Sequence, residues 1–580
     1  MNWLDFLVLL GSILSIVGYG IWRTRRCDDL QTYMKGDPKM SWLTIGLSVM
    51  ATQASAITFM STPGQGYQDG LGFVQFYFGL PLALVIIAIV FLPMYQRLNV
   101  YTAYEFLGRR FDSKTRLLGA GLFLLQRGLA AGITIYAPAI ILSTMLGWPL
   151  KLTIIFAGVV ATLYTAVGGS EAVSLTQQYQ MAVIFGGMAM AFVILMLKLP
   201  AHFGDALSVA GIFSKLHAVD LSTDVHRRYT LWSGLLGGLF LQLSYFGADQ
   251  SQVQRYISGS SLRQSRLGLM FNALFKIPMQ FSILLLGALV FVFYQFEQPP
   301  VFFNQPAWHA ASQTQAGAQL RSLEQQFAQV HLEKRNSLEA WLAARHSGNP
   351  QTESEARSRA LAAYQQSENI RTSVADAVKT ASPRTEGKDQ DYVFITFILN
   401  YLPHGVIGLL IAAFFAAALS SKAAELNALA STSTVDFYRA YVNPDASGPA
   451  CVTASKWFTV FWGLVALGFA LFATLQDNLI QAINIVGSIF YGVILALFLV
   501  GFFLKRVGGT AVFWSALVAQ CLVFVLHFYF KISYLWYTPI GCCACVALSV
   551  ALQTVLGANQ TAKSVAAAPT ASDPHPGLGS

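Results

Sequence analysis

Apolar runs of about 20 residues, separated by short polar segments, recur along almost the whole chain. A helix rises about 1.5 Å per residue, so a run of that length matches a hydrocarbon core of about 30 Å. On this measure the sequence predicts about thirteen spanning helices, at 4–22, 41–62, 72–95, 117–146, 151–168, 178–197, 231–252, 270–295, 393–420, 452–475, 481–504, 510–530 and 537–556. The expected fold class is all-α and polytopic. The first run differs from a signal peptide. No basic residue precedes it, no small-residue cleavage site follows it, and its positive charge comes after the apolar stretch.

One segment breaks the rhythm. Residues 300–391 are rich in Gln, Ala, Glu and Arg, yet Leu320, Leu323, Phe327 and Val330, and then Leu338 and Leu342, recur at helical spacing. Ser347-Gly348-Asn349-Pro350 predicts a turn between two helices. The expectation is an extracytoplasmic helical hairpin, with a disordered insert as its alternative. The chain then divides into helices 1–8 (residues 1–299), the hairpin (300–391), helices 9–13 (392–556) and a tail, 557–580. The tail is rich in Ala, Pro, Ser and Gly and is expected to be a disordered cytoplasmic segment.

Composition agrees with the pattern: 55% of the 580 residues are hydrophobic and 11% charged, against about 25% charged in soluble domains. The net charge of +9 does not point to nucleic acid, because the basic residues sit in short loops. Arg23, Arg25, Arg26, Lys35 and Lys39 follow the first run. Arg97, Arg109, Arg110, Lys114 and Arg116 follow the third, and Arg255, Arg263 and Arg266 the seventh. The loops 63–71 and 476–480 hold no Lys or Arg. The positive-inside rule puts the N-terminus outside, the C-terminus in the cytoplasm and the protein in the cell (inner) membrane. Cys521, Cys542, Cys543 and Cys545 lie in apolar runs, as small hydrophobes do.

Polar residues inside spans carry the chemical information, because hydrocarbon satisfies no backbone group. The second span, through Ala51-Thr52-Gln53-Ala54-Ser55-Ala56 to Pro63-Gly64, is dense in small and hydroxyl residues. A discontinuous helix with carbonyls free for a cation has this composition, and so does a tightly packed helix whose hydroxyls bond their own backbone. Both stay open. Ala416 to Asn427 is a second such stretch, where Ser420 and Ser421 with unwound carbonyls could hold a monovalent cation without a carboxylate. Lys422 and Glu425 have the spacing of a structural pair on one helix face. Asp249 and Arg255 fall near the cytoplasmic end of the seventh span, where an inner-gate salt bridge fits. Lys276, just before Pro278, must snorkel or line a wet cavity. No nucleophile–base constellation, zinc spacing or phosphate-cradling loop is visible, so an enzyme is not expected.

At these residues the chain resembles the sodium/solute symporter family, which includes the sodium/glucose, sodium/proline and sodium/iodide carriers. Four blocks carry the resemblance: the second span through Gly64-Gln65-Gly66-Tyr67; Tyr164 to Val173; Gly247 to Arg255; and Ala417 to Asn427 with Asp436-Phe437-Tyr438. It implies a LeuT-type core of two inverted five-helix repeats, the first starting at the second span and the other at the seventh. It implies sodium ligands at the carbonyls of Ala51, Ala54 and Ala417 and the hydroxyls of Ser420 and Ser421. It implies an aromatic gate at Tyr245 and substrate contacts near Thr58, Gln75, Tyr77, Gln242, Lys276 and Asn484. Two departures remove oxygen donors: Gln177 stands where many members have an acid, and Ala423 and Ala424 stand where members with a second sodium site have hydroxyls. One coupling sodium is therefore expected, in symport of a small polar solute such as a sugar or an organic anion.

Three rivals define what the structure must discriminate. One is a transporter-like sensor without flux. Another is a proton-coupled or uncoupled carrier, disfavoured because no buried carboxylate is obvious at the site. The third is an extracytoplasmic partner docked on the 300–391 hairpin.

Overall fold

The computed structural model describes residues 2–24, 41–98, 100–199, 202–257, 259, 261–381, 389–473 and 477–557; from 167 to 179 only Gln177 has a described side chain. Arg25, Arg26, Lys35, Lys39 and the tail from 558 onward lie outside these residues. In chain order the helices are α1 (Trp3–Thr24), α2 (Trp42–Gln53), α3 (Ala56–Asp69), α4 (Leu80–Ile86), α5 (Leu92–Leu98), α6 (Ala103–Arg110), α7 (Ser113–Leu146), α8 (Leu150–Lys198) and α9 (Phe203–Ile212). They continue as α10 (Gly238–Gly247), α11 (Gln250–Ile257), α12 (Leu262–Phe296), α13 (Gln305–Ser312), α14 (Gly317–Ser347), α15 (Pro350–Ala381) and α16 (Gln390–Tyr401). The last five are α17 (Val406–Thr432), α18 (Gly448–Phe472), α19 (Leu479–Phe503), α20 (Gly509–Tyr529) and α21 (Tyr537–Leu556).

Among the described residues, nine helices are long and apolar enough to cross a membrane. The protein is an all-α, multi-pass membrane protein, but its breaks do not all fall where the sequence puts them. The predicted second span is broken between α2 and α3, and the seventh between α10 and α11. The predicted ninth span, 393–420, divides into α16 and α17, because Pro403 cannot continue a helix and Gly405 adopts φ +87°. Spans 151–168 and 178–197 join in the single helix α8, since no proline stands between Pro149 and Pro200. The stretch 416–427, expected to unwind, is helical throughout within α17.

Helix α17 is the axis of the bundle. Its spanning window is 89% buried, and a helix apolar all round belongs in a core. It packs against α1, α2, α3, α7, α8, α11 and α18. Side-chain caps set several helix starts: Asp112, Ser261, Ser447 and Asn478 each accept a backbone N–H at the head of α7, α12, α18 and α19, each contributing about 1 kcal/mol.

Helices α14 and α15 form an antiparallel pair joined at Gly348, whose φ of +68° ends α14. Leu320, Phe327 and Val330 of α14 and Ala363, Ile370, Val374 and Val378 of α15 are buried in one cluster, each large side chain worth about 1.5–3 kcal/mol. The pair is fixed to the bundle at both ends. At its base Arg371 pairs with Asp389 at 3.0 Å and donates to the Pro300 carbonyl at 3.3 Å. At its tip His346 meets Asp205, in the first turn of α9, at 3.0 Å. Its flank stacks on the bundle through Tyr364 against Phe213, 4.7 Å between ring centroids.

Candidate functional site

The two interrupted helices build the site. After Gln53, Ala54 (φ −85°, ψ 68°) and Ser55 (φ −72°, ψ 178°) leave the helix, and Thr58 bridges the gap by donating from Oγ1 to the Gln53 carbonyl at 3.4 Å. In the other break, Asp249 acts as a cap for α11, accepting from the Ser251 N–H at 2.9 Å and hydroxyl at 2.7 Å. Each interruption frees backbone carbonyls within the bundle. The first break faces α10, the helix that leads into the second: Gln53 Nε2 donates to Gln242 Oε1 at 3.4 Å.

A cavity of about 60 Å³ lies between them. Five of the residues implied as solute contacts line it: Thr58, Tyr77, Gln242, Tyr245 and Asn484. Gln75 lies outside it, in a neighbouring cleft of about 980 Å³ at the hairpin end, where its amide holds the backbone of Tyr229 and Asp220 at 3.2 and 2.9 Å. Lys276 does not snorkel and is not among the residues that line this cavity. It is fully buried behind the cavity, its ammonium 5.6 Å from the centroid of the Tyr77 ring. Tyr245 is held by Gln252, which donates to its hydroxyl at 2.7 Å.

The cavity wall has polar capacity to spare. Gln53 Oε1, Gln126 Oε1, Gln242 Nε2, Asn484 Nδ2 and Arg127 Nε are buried and find no hydrogen-bond partner among the described residues. Each such group costs about 1–3 kcal/mol until a polar guest completes it.

One side of the cavity is charged. Arg127 of α7 forms an ion pair with Asp249, another with Glu425 at 3.3 Å, and donates to the Tyr491 hydroxyl at 2.9 Å. Tyr491 in turn donates to Asp249 at 2.9 Å, and Thr134 to Glu425 at 2.8 Å. Three expectations are corrected here. The partner of Asp249 is Arg127 rather than Arg255, because the break turns Asp249 inward toward α7. Lys422 and Glu425 do not pair along one face: both reach across to α7, Lys422 donating to the Ala131 carbonyl and, at 3.3 Å, to Thr134. Buried carboxylates do stand at the site, Glu425 lining it and Asp249 within the adjoining ion pairs; the arginine they share balances one of their two charges, and the Lys422 ammonium beside them the other.

The implied sodium ligands fall on helices in contact. Ala51 and Ala54 are buried at the end of α2, Ala417, Ser420 and Ser421 are buried in α17, and α2 and α3 both pack on α17. Ser420 and Ser421 donate to the carbonyls of Ala417 and Ala418, both at 3.2 Å. Their oxygen lone pairs are thereby left as acceptors for a cation. Gln177 accepts from Ser48 at 2.8 Å and so ties α8 to α2. Arg127, Gln126, Thr134 and Tyr491 escaped the sequence reading, although an arginine in the middle of the span 117–146 is itself a signal of a lined site.

A profile of the sodium:solute symporter family matches residues 33–327 and 370–519. The chain belongs to that family, an assignment that agrees with the broken helices and the cavity between them. It is 32% identical over 298 residues to the sodium/iodide cotransporter of Homo sapiens, covering 50% of this chain and 45% of that one. It is 34% identical over 271 residues to sodium-coupled monocarboxylate transporter 1 of Homo sapiens, covering 46% and 44%. The sodium-dependent multivitamin transporter of Oryctolagus cuniculus is 27% identical over 512 residues, covering 87% and 66%. The chain thus spans about half the length of the first two relatives. Its fold is that of a Na+-coupled sialic acid symporter solved in a substrate-bound outward-open state, with a TM-score of 0.73 at 21% identity over 96% of this chain and 98% of that one. This is the expected LeuT-type architecture, and each predicted repeat begins with one of the two broken helices.

Proposed function

We propose that the protein is a secondary active transporter that couples the entry of one sodium ion to that of a small polar solute by alternating access. The observation that carries this reading is the cavity itself: the first helix break, the α10 helix that leads into the second, five buried polar atoms unpartnered among the described residues and the ring of Tyr245 converge on it beside a cluster of oxygen donors free of carboxylate. Sodium held by the carbonyls of Ala51, Ala54 and Ala417 and the hydroxyls of Ser420 and Ser421 would tie α2 to α17. That tie favours one of the two access states, and the solute then binds beside it. Thr58, Gln242 and Asn484 supply hydrogen bonds, Tyr77 and Tyr245 close over the solute, Lys276 acts through Tyr77, and Gln75 fixes the approach cleft. Gln177, Ala423 and Ala424 supply no further cation site, which supports a single coupling ion.

The hairpin end is assigned to the outside. The N-terminus lies at the same end, since Asp5 accepts from the Gly405 N–H at 2.6 Å and pairs with His404 at 2.8 Å, in the loop that follows α16. A partner docked on the hairpin gains little support, because the solvent face of α14 and α15 is polar with Leu332 as an isolated apolar residue.

The test is uptake into proteoliposomes of a panel taken from the relatives: iodide, a monocarboxylate, a vitamin, sialic acid and, in addition, a hexose. Sodium-dependent uptake of one of them is expected, with loss of that uptake in the double variant Ser420→Ala/Ser421→Ala at unchanged membrane insertion. Unaltered uptake in the variant would remove the sodium assignment, and a sodium-to-solute ratio of two would remove the single-ion reading.

A further inference from the structure

The side chain of Lys422 is placed as a bound cation would be. It lies 2% exposed in the middle of α17, and its ammonium rests on the Ala131 carbonyl and the Thr134 hydroxyl of α7. The same Thr134 hydroxyl donates to Glu425 at 2.8 Å. A carbonyl, a hydroxyl and a carboxylate are the hard oxygen donors that a sodium ion selects. Charge balance agrees with the geometry. Arg127 and Lys422 face Asp249 and Glu425, two charges of each sign in one buried network, so removing the ammonium leaves one buried negative charge uncompensated. Thr134 and Glu425 also line the solute cavity, which gives an ion from that cavity a route to these donors.

We propose that α7 and α17 form a second cation locus, built from Ala131, Thr134 and Glu425, and that the chain fills it permanently with its own Lys422 ammonium. The inference deepens the single-sodium reading and rests on it for the identity of the competing ion. The second positive charge that another carrier would draw from solution is covalently attached here, so it adds electrostatic support to the site without being transported. The locus then predicts that shortening the side chain turns a one-ion protein into a two-ion protein.

The experiment measures binding of radioactive sodium to the purified full-length chain in detergent, with choline as the balancing cation. Wild type is expected to bind one ion and Lys422→Ala two. Lys422→Met fills the same space without charge and is expected to stay at one. Equal sodium binding by Lys422→Ala and Lys422→Met overturns the proposal. If Lys422→Ala does not fold in choline, its melting temperature is compared in sodium, methylammonium and choline chlorides. Recovery in the two small cations supports the locus, and equal instability in all three overturns it. A wild-type protein that binds no sodium contradicts the proposed function instead, and the difference between the two variants still decides this inference.

Discussion

The centre of the bundle and the hairpin are built on opposite plans. In the centre the charges are inside: Arg127, Asp249, Glu425 and Lys422 are all nearly inaccessible and answer one another across three helices. In the hairpin the apolar residues form the core and most charges lie outside, as in the solvent-exposed pair Arg335–Glu339 at 2.9 Å, with Lys334 and Arg371 as buried exceptions. Water can stabilise a broken surface ion pair on the hairpin, whereas the charges of the centre are shielded by the helices around them. The hairpin resembles a small soluble domain that owes its stability to apolar burial. The centre owes its order to ion pairs and caps, and it keeps unpartnered polar atoms ready for a guest. Residues 328–369, the distal part of the hairpin, also fall outside the match to the family, whereas its base lies within it.

This contrast orders the expected effects of substitution. The largest belongs to Arg127→Ala, which strands Asp249 and Glu425 without their partner; about 3–5 kcal/mol of destabilisation is expected, read as a lowered melting temperature of the purified protein. An intermediate effect of about 1–3 kcal/mol is expected from Gly64→Ala, because a Cβ there would overlap the carbonyl of Gln390 where α3 meets α16. A melting curve unchanged by either variant would erase the contrast. The smallest effect is confined to the hairpin. His331 of α14 is held down to about 4, first by burial and then by the positive charge of Lys334, so the docked hairpin favours the neutral ring. Its stability contribution is complete above the ordinary value of 6.5 and is lost as the pH falls from there towards about 4. Hydrogen-exchange protection factors along α14, corrected for the intrinsic pH dependence of exchange, should therefore fall between pH 7 and pH 5 while those in α17 stay constant, and equal change in both would mean the two regions respond as one.

The same contrast explains what the sequence disclosed. The hairpin was legible because Leu320, Phe327, Val330 and Leu338 carry the helical period and Gly348 marks the turn. The first helix break was legible as a composition and the second was not singled out, although Gly247-Ala248-Asp249 places a cap residue inside an apolar run. The stretch 416–427 has the same small, hydroxyl-rich composition as 51–64 yet stays helical, because Ser420 and Ser421 bond back within the turn and close packing on seven neighbouring helices holds α17 straight. Small residues therefore signal close approach, and tertiary packing decides whether the helix opens. The partner of Asp249 was out of reach for the same reason: Arg127 lies 122 positions away, and only the packing of α7 on the break brings them together.

Coupling between sodium and solute is the central claim, and it is tested most directly by measuring the solute's Kd for the purified chain with and without sodium. Reciprocal coupling of typical strength predicts affinity tighter by roughly 5–150-fold in sodium, with the Ser420→Ala/Ser421→Ala variant reduced to the sodium-free value. Equal affinity in sodium and in choline would contradict the account.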